Sequence, residues 1–417
     1  MPMPVRSLPL VQNWDCHGCS DCCRTYAVHV SDAEKAKIEA QNWHAEPDLT
    51  GVEFFAWDES EQRLRLNHRP DGGCVFLGAD NRCRIHAKFG SAAKPMPCRV
   101  YPFVMVPAGD HWRVGVRFAC PSALQNLGRP MRDQAAEARE YAALVEVDKK
   151  TPGDLPAPPL QPGQTISWAD LLRITAALTE ILIAPGVPIE RKLRHALALM
   201  ELCKKSSFEK ISGARLTEFL ELTSVIVGEE LPEHPAKPGW AGRVLFRQIA
   251  AVYARKDVGL HAGDMAKRSA WGRGIAGYRF ALGAGRVPKV HGHLDAAVSF
   301  ADAEKPLGAL PPGVDELFTR FYRVKLESLQ FCGRTNFDQS YWLGFEALAL
   351  TYPAAMWLAR LFVAGGKPPL EAVQAAVRIV DDNFGFNPML GSGKQAWAMK
   401  ILTAKAELPK LIAWYAT

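Results

Sequence analysis

The sequence predicts an α+β N-terminal domain followed by an all-α helical domain, and three observations carry that fold class. Eight of the ten cysteines, Cys16, Cys19, Cys22, Cys23, Cys74, Cys83, Cys98 and Cys120, fall in the first 120 residues, among short β-prone runs broken by turns. Thr151 to Gly163 carries five prolines in 13 residues and reads as a semi-rigid linker. Beyond it, apolar residues recur at helical spacing almost without strand signals. The expected organisation is a cysteine-rich domain over 1–150, a Pro-rich linker over 151–163 and a helical domain over 164–417.

In the first domain, SDAEKAKIEAQ (Ser31 to Gln41) pairs an N-cap serine with good helix formers and predicts a helix. VEFFAWDESEQRLRLNH reads as two strands around a charged turn, and CVFLGADNRCRIH as two more around Gly78 to Asn81. RVYPFVMVPAGDHWRVGVRFAC makes a third set around Pro107 to Asp110, so three hairpins are expected to form one small antiparallel unit. A charged helix follows from Arg132 to Lys150.

In the second domain, Leu171, Ile174, Leu178 and Ile181 line one stripe of ISWADLLRITAALTEILIA. PIERKLRHALALMELCKK, SFEKISGARLTEFLELTSVIV, RVLFRQIAAVYARK, PGVDELFTRFYRVKLESLQ, PPLEAVQAAVRIVDDNF and SGKQAWAMKILTAKAELPKLIAWYA follow in the same style. The apolar run from Tyr341 to Ala364 is long enough to cross a membrane. It contains Glu346, Pro353 and Arg360, and a charge at the helix centre costs about 2.5–3.5 kcal/mol in lipid, so a buried bundle helix is expected.

Composition narrows the function classes. With 48% hydrophobic and 23% charged residues the chain is neither disordered nor a multispanning membrane protein. Its net charge of +6 is spread without a basic run, and no nucleic-acid partner is expected. MPMPVRSLPLVQNW lacks the apolar run of a signal peptide, so a cytoplasmic location is expected. In that compartment clustered cysteines serve as metal ligands or redox groups more readily than as disulfides.

CHGCSDCC, from Cys16 to Cys23, contains two overlapping C-x2-C units and one further cysteine. A C-x2-C turn lets two thiolates converge while backbone amides point at the sulfurs, which suits zinc knuckles and iron-sulfur clusters alike. Gly18 fits the tight turn. Cys22 and Cys23 are adjacent and are expected to point apart, serving different centres or leaving one in reserve. The other cysteines arrive singly in GGCVFL, NRCRIH, MPCRVYPF and FACPS. Eight thiols match two four-thiolate sites. Cys16, Cys19 and Cys22 follow the C-x2-C-x2-C spacing of bacterial ferredoxins, and Cys120 is followed by Pro121 as a further ferredoxin ligand is. That partition leaves Cys23, Cys74, Cys83 and Cys98 for a second centre. Arg24, Arg82, Arg84 and Arg99 each adjoin a cysteine and are candidates to offset thiolate charge.

The string from CHGCSDCC through CVFL, CRIHAKFG, KPMPCRVYPF and FACPS closely resembles the YkgJ-like cysteine-cluster family, a zinc- or iron-chelating CxxCxxCC domain, over about residues 14 to 125. The resemblance implies metal chelation by these cysteines. A more distantly similar branch, the flagellin lysine methylases, joins such a cluster to a long partner region. That branch uses an iron-sulfur cluster with S-adenosylmethionine to methylate protein lysines, and its fuller pattern is missing from this sequence.

Other motifs carry less. His86, three residues after Cys83, could replace a thiolate but reads better as a turn histidine; His17 would point out of the knuckle, and the pair His291 and His293 lacks a third ligand. GRGIAG (Gly272 to Gly277) has the letters of a dinucleotide loop without the preceding strand, and GSGK (Gly391 to Lys394) lacks the rest of a P-loop. Cys203 and Cys332 read as buried small apolar residues. The expected protein is thus a metal-binding one. Its N-terminal cluster holds an iron-sulfur cluster, of 4Fe-4S type, and/or zinc, and its helical domain faces a protein substrate or partner. The rivals are a structural zinc module with a helical interaction surface and an S-adenosylmethionine-dependent protein lysine methyltransferase.

Overall fold

The computed structural model describes residues 3–149, 154–208, 211–254, 269–289 and 297–416. A mixed N-terminal region is followed by a mostly helical one, as the sequence predicts. The first region holds strands β1 (Val5–Ser7), β2 (Phe55–Asp58), β3 (Arg63–Leu66), β4 (Phe103–Ala108) and β5 (His111–Val116). Its helices are α1 (Asp21–Thr25), α2 (Asp32–Glu39), α3 (Arg84–Phe89), α4 (Met96–Val100), α5 (Pro121–Leu124) and α6 (Ala135–Lys149).

Ser31 caps α2 in a full capping box with Glu34, which is the reason the helix starts where it does. Two of the expected hairpins form. β2 pairs antiparallel with β3 from Phe55↔Leu66 to Asp58↔Arg63, and β4 pairs with β5 from Phe103↔Val116 to Ala108↔His111. They do not join into one unit, because β5 takes β1 as its parallel neighbour while β2 and β3 form a separate sheet. The remaining pair of strands is a single bridge, Leu77↔Cys83, after which the chain turns into α3. Of residues 84–89 only Ile85 is buried, with Phe89 one turn on against the Trp43 ring at 5.5 Å. That is a helical spacing rather than the alternation a strand needs.

These elements divide between two hydrophobic cores. Val28, Ile38, Trp43, Phe54, Leu66, Cys74, Phe76, Leu77 and Ile85 form a small one, in which Phe76 lies 5.2 Å from both Trp43 and Phe54. The sheet β1-β5-β4 belongs to the other core. Phe103, Met105, Trp112, Val114, Val116, Phe118 and Cys120 are continuous with the helices that follow.

Those helices are α7 (Trp168–Ile183), α8 (Ile189–Lys204), α9 (Ala214–Glu229), α10 (Trp240–Ala254), α11 (Ala270–Leu282), α12 (Phe300–Ala303), α13 (Val314–Glu327), α14 (Tyr341–Ala364), α15 (Pro369–Asn383), α16 (Gly393–Ala404) and α17 (Glu407–Trp414). The stripe Leu171, Ile174, Leu178 and Ile181 is buried, as its spacing requires. α14 is long and apolar enough to cross a membrane, but most of it is sheathed by protein. Its charges are satisfied inside: Glu346 pairs with Lys204, and Arg360 donates to the Trp414 carbonyl at 3.0 Å. The expected single C-terminal helix breaks at Ala406 (φ 50°) into α16 and α17. GRGIAG lies within α11 and GSGK leads into α16, so neither forms a phosphate loop.

Residues 151–153 of the expected linker, Lys150 before it, and His291 and His293 lie outside the described residues. The rest of the linker is docked. Leu160 is fully buried, the carbonyls of Pro159 and Leu160 accept from the N–H groups of Tyr341 and Trp342 at 2.9 and 3.1 Å, and Leu155 accepts from the Trp168 indole at 2.7 Å. Proline-rich backbone exposes carbonyls that its own segment cannot satisfy, and the start of α14 satisfies them.

Candidate metal centre

All ten cysteines are free thiols. Cys16 and Cys19 stand on the loop before α1, whose turn needs the left-handed conformation of Gly18 (φ +68°), with the Arg82 side chain packed against it. Cys22 and Cys23 lie within α1, Cys83 at the N-cap of α3, Cys98 within α4 and Cys120 at the N-cap of α5, where Pro121 takes the first helical position. Cys74 is buried where its N–H meets the Cys23 carbonyl at 2.8 Å.

The two cores sort the thiols. Cys74 belongs to the small core with Cys23, Cys83 and Cys98 packed on it, whereas Cys120 belongs to the large one. Electrostatic interactions link thiols within each group and, through Cys22, between the two groups. Cys19 is coupled to Cys22 and Cys120, while Cys98 is coupled to Cys74 and Cys83. Cys22 stands between the sets and is felt by Cys19, Cys74, Cys98 and Cys120.

Adjacent Cys22 and Cys23 do not point apart. Their sulfurs approach to 3.9 Å, because on a helix successive side chains are separated by about 100° rather than the half-turn of a strand. Among the described residues no group of three or more His, Cys, Asp and Glu side chains is gathered tightly enough to hold a metal ion.

Backbone amides are aimed at the sulfurs as a metal knuckle requires. Cys19 receives the N–H of Asp21, Cys74 that of Phe76, and Cys120 those of Ala123 and Ser122. The Trp14 indole N–H, buried and without a conventional hydrogen-bond partner, is turned toward the Cys120 sulfur. These donors favour thiolate, but burial outweighs them. It pushes the Cys74 thiol up to about 12 and raises Cys98 and Cys120 as well. Cys19 is exposed as a residue, yet its sulfur is shielded enough for burial to raise that thiol too. For Cys22 the hydrogen bond with Cys23 is the larger cause and burial the second.

The nearby cation is one the sequence reading overlooked. Lys94, four residues before Cys98, opposes the rise at both Cys22 and Cys98. The arginines beside cysteines are mostly engaged elsewhere: Arg84 with Asp48 and Glu46, each at 2.6 Å, Arg99 with Glu140, and Arg24 with Asp71 at 3.8 Å. His17 is held by the Asp15 carbonyl at 2.8 Å, and His86 is exposed on α3. Thiols shielded from water and served by N–H donors, with Lys94 and, at Cys74, Arg69 as nearby countercharge, suit a divalent ion or a cluster that supplies further positive charge.

Residues 15–122 match the CxxCxxCC family model, whose description reads "Putative zinc- or iron-chelating domain". The matched span encloses all eight thiols. Neither a curated protein nor a solved structure gives a match to the chain.

Proposed function

We propose that the chain is a cysteine-chelating metalloprotein with two centres, one held by Cys16, Cys19, Cys22 and Cys120 and the other by Cys23, Cys74, Cys83 and Cys98. The observation that carries this reading is the segregation of Cys23, Cys74, Cys83 and Cys98 onto the small core while Cys120 sits in the large one. The i+2 amides on Cys19, Cys74 and Cys120 support it, since they stabilise sulfur that carries negative charge. Closing either set requires side-chain rotation, so metal binding is coupled to local ordering of the loop and α1.

In the first set we favour an iron-sulfur cluster, on the ferredoxin-like spacing, the Cys120-Pro121 pair and the Trp14 donor. Such a cluster supplies one-electron redox chemistry when bound. The chain's own contribution is to shield Cys120, to direct the Trp14, Ser122 and Ala123 N–H groups at its sulfur, and to leave Cys16 and Cys19 at the surface. The second set, buried in its own small core, suits zinc as well as iron. The helical region presents the first set to a protein partner or substrate, because that set lies where α1 and α5 meet α15. Methyl transfer from S-adenosylmethionine keeps only the resemblance as its support.

Anaerobic purification followed by iron, zinc and sulfide analysis with an optical spectrum tests the proposal. A brown protein bleached by dithionite is expected. A colourless protein with about two zinc ions per chain would replace the cluster by zinc and keep both centres. Metal-free protein with eight reactive thiols would contradict the reading.

A further inference from the structure

α15 presents Arg378, Asp381 and Asp382 on one face, at the i, i+3 and i+4 spacing of a helical stripe. All three reach residues that flank the first set of thiols. Arg378 pairs with Asp21, the neighbour of Cys22, and donates from Nε to the carbonyl of Ala119, the neighbour of Cys120, at 3.2 Å. Asp381 accepts the Ala119 N–H at 2.9 Å. Asp382 accepts from the Tyr26 hydroxyl and from Arg117, each at 2.7 Å. Arg117 in turn lies with its guanidinium 3.8 Å from the centre of the Phe386 ring, just beyond the helix.

The loop and helix α1 that carry Cys16 to Cys22 and the segment that carries Cys120 are about a hundred residues apart in sequence. Arg378 bridges them, alongside the His17–Ser122 contact at 3.2 Å and the Asp15–Leu127 backbone bond at 3.1 Å. It does so with a charge-assisted bond to each: a carboxylate on one segment and a backbone carbonyl on the other. From this geometry we infer that Arg378 is a positioning residue for the first centre. It helps to set the separation of Cys22 and Cys120, whereas Cys74, Cys83 and Cys98 of the second centre stand on segments that Arg378 does not touch. The inference rests on the two-centre reading above.

Arg378 and Asp21 are both partly exposed, with side chains 36% and 40% accessible, so replacing the arginine does not strand a buried charge. The test is site-resolved alkylation by iodoacetamide of the anaerobically purified full chain, read by peptide mass spectrometry, for wild type, Arg378→Ala and Arg378→Lys. Loss of a residue that orients ligands typically costs 10–100-fold in metal affinity. Arg378→Ala is therefore expected to label Cys19, Cys22 and Cys120 about tenfold faster than wild type, with Cys74, Cys83 and Cys98 unchanged. Arg378→Lys, which keeps the charge for Asp21 but cannot donate to both segments in the same way, is expected to lie between the two.

Equal labelling in wild type and Arg378→Ala overturns the inference. Uniform acceleration at all eight thiols also overturns it, since that is general loosening rather than positioning. Metal-free wild type with all eight thiols equally reactive is a different failure: it removes the two-centre reading, and the positioning role falls with it.

Discussion

Lys325 Nζ stands 2.5 Å from Asp381 Oδ1, and both side chains are closed off from solvent, at 1% and 0% accessible. The other oxygen of that carboxylate takes the N–H of Ala119. One buried pair thus joins α13, α15 and the segment leading to Cys120. Burial holds the Lys325 ammonium below its usual range, and Asp381 opposes that shift. Removing the cation leaves a buried carboxylate with its charge uncompensated. Lys325→Met is expected to lose about 3–5 kcal/mol in urea unfolding, and a loss below about 1 kcal/mol would show that the pair is not structural.

Glu346 is a buried acid within α14. Burial pushes its carboxyl from an ordinary 4.5 up to about 7, against the attraction of Lys204. The folded protein therefore holds a proton on Glu346 that the unfolded chain releases between those values. Stability from this group is fully present below about pH 4.5, falls as pH rises toward 7 and levels off above it, an effect on the order of 2–3 kcal/mol. Unfolding of wild type and Glu346→Gln from pH 5 to pH 8 isolates it. The wild type is expected to lose stability relative to the variant across that range, and parallel curves would refute the assignment.

Glu34 ties the start of α2 to the start of α4. One oxygen accepts the Ser31 N–H at 2.8 Å and the other the Met96 N–H at 2.6 Å, two residues before Cys98. Glu34→Ala leaves both donors without their acceptor and is expected to cost about 1–3 kcal/mol, with Glu34→Gln milder. Chemical unfolding of the two variants side by side checks the order; equal losses would show that the charge matters more than the shape.

Gly128 sits at φ +102°, and a Cβ there would fall 2.3 Å from the backbone nitrogen of Asp15, the residue before Cys16. Asp15 N–H donates to the Leu127 carbonyl at 3.1 Å, so the two segments cannot separate without losing that bond. Gly128→Ala is expected to lower stability by at least about 2 kcal/mol. A melting temperature equal to that of wild type would mean that the loop shifts freely.

Much of this architecture is legible in the sequence because it is periodic or locally capped. The α7 stripe from Leu171 to Ile181, the Ser31–Glu34 box and the β4–β5 hairpin each carry their signal within a few residues. α3 escapes because its helical spacing rests on two residues alone, Ile85 and Phe89, too short a run to be told from a strand in the sequence. The break at Ala406 does carry a mark, Pro409, which has no N–H to offer the Lys405 carbonyl and whose ring clashes with that carbonyl in a continuous helix. The eight thiols are legible as a set, and their spacing already suggests the proposed division; that Cys74 and Cys120 fall in different cores is not legible, since it depends on which segments pack together. Arg378, Asp381 and Lys94 carry no mark at all. Their part comes from contacts such as Asp381 with Ala119, which span some 260 residues.

The division into two centres is tested most directly by the metal content of wild type, Cys120→Ser and Cys98→Ser, each purified anaerobically as the full chain. Cys120→Ser is expected to lose the metal and sulfide of the first centre and to keep the metal of the second, and Cys98→Ser the reverse. Loss of all metal in both variants, or of none in either, would contradict two separate four-thiolate sites.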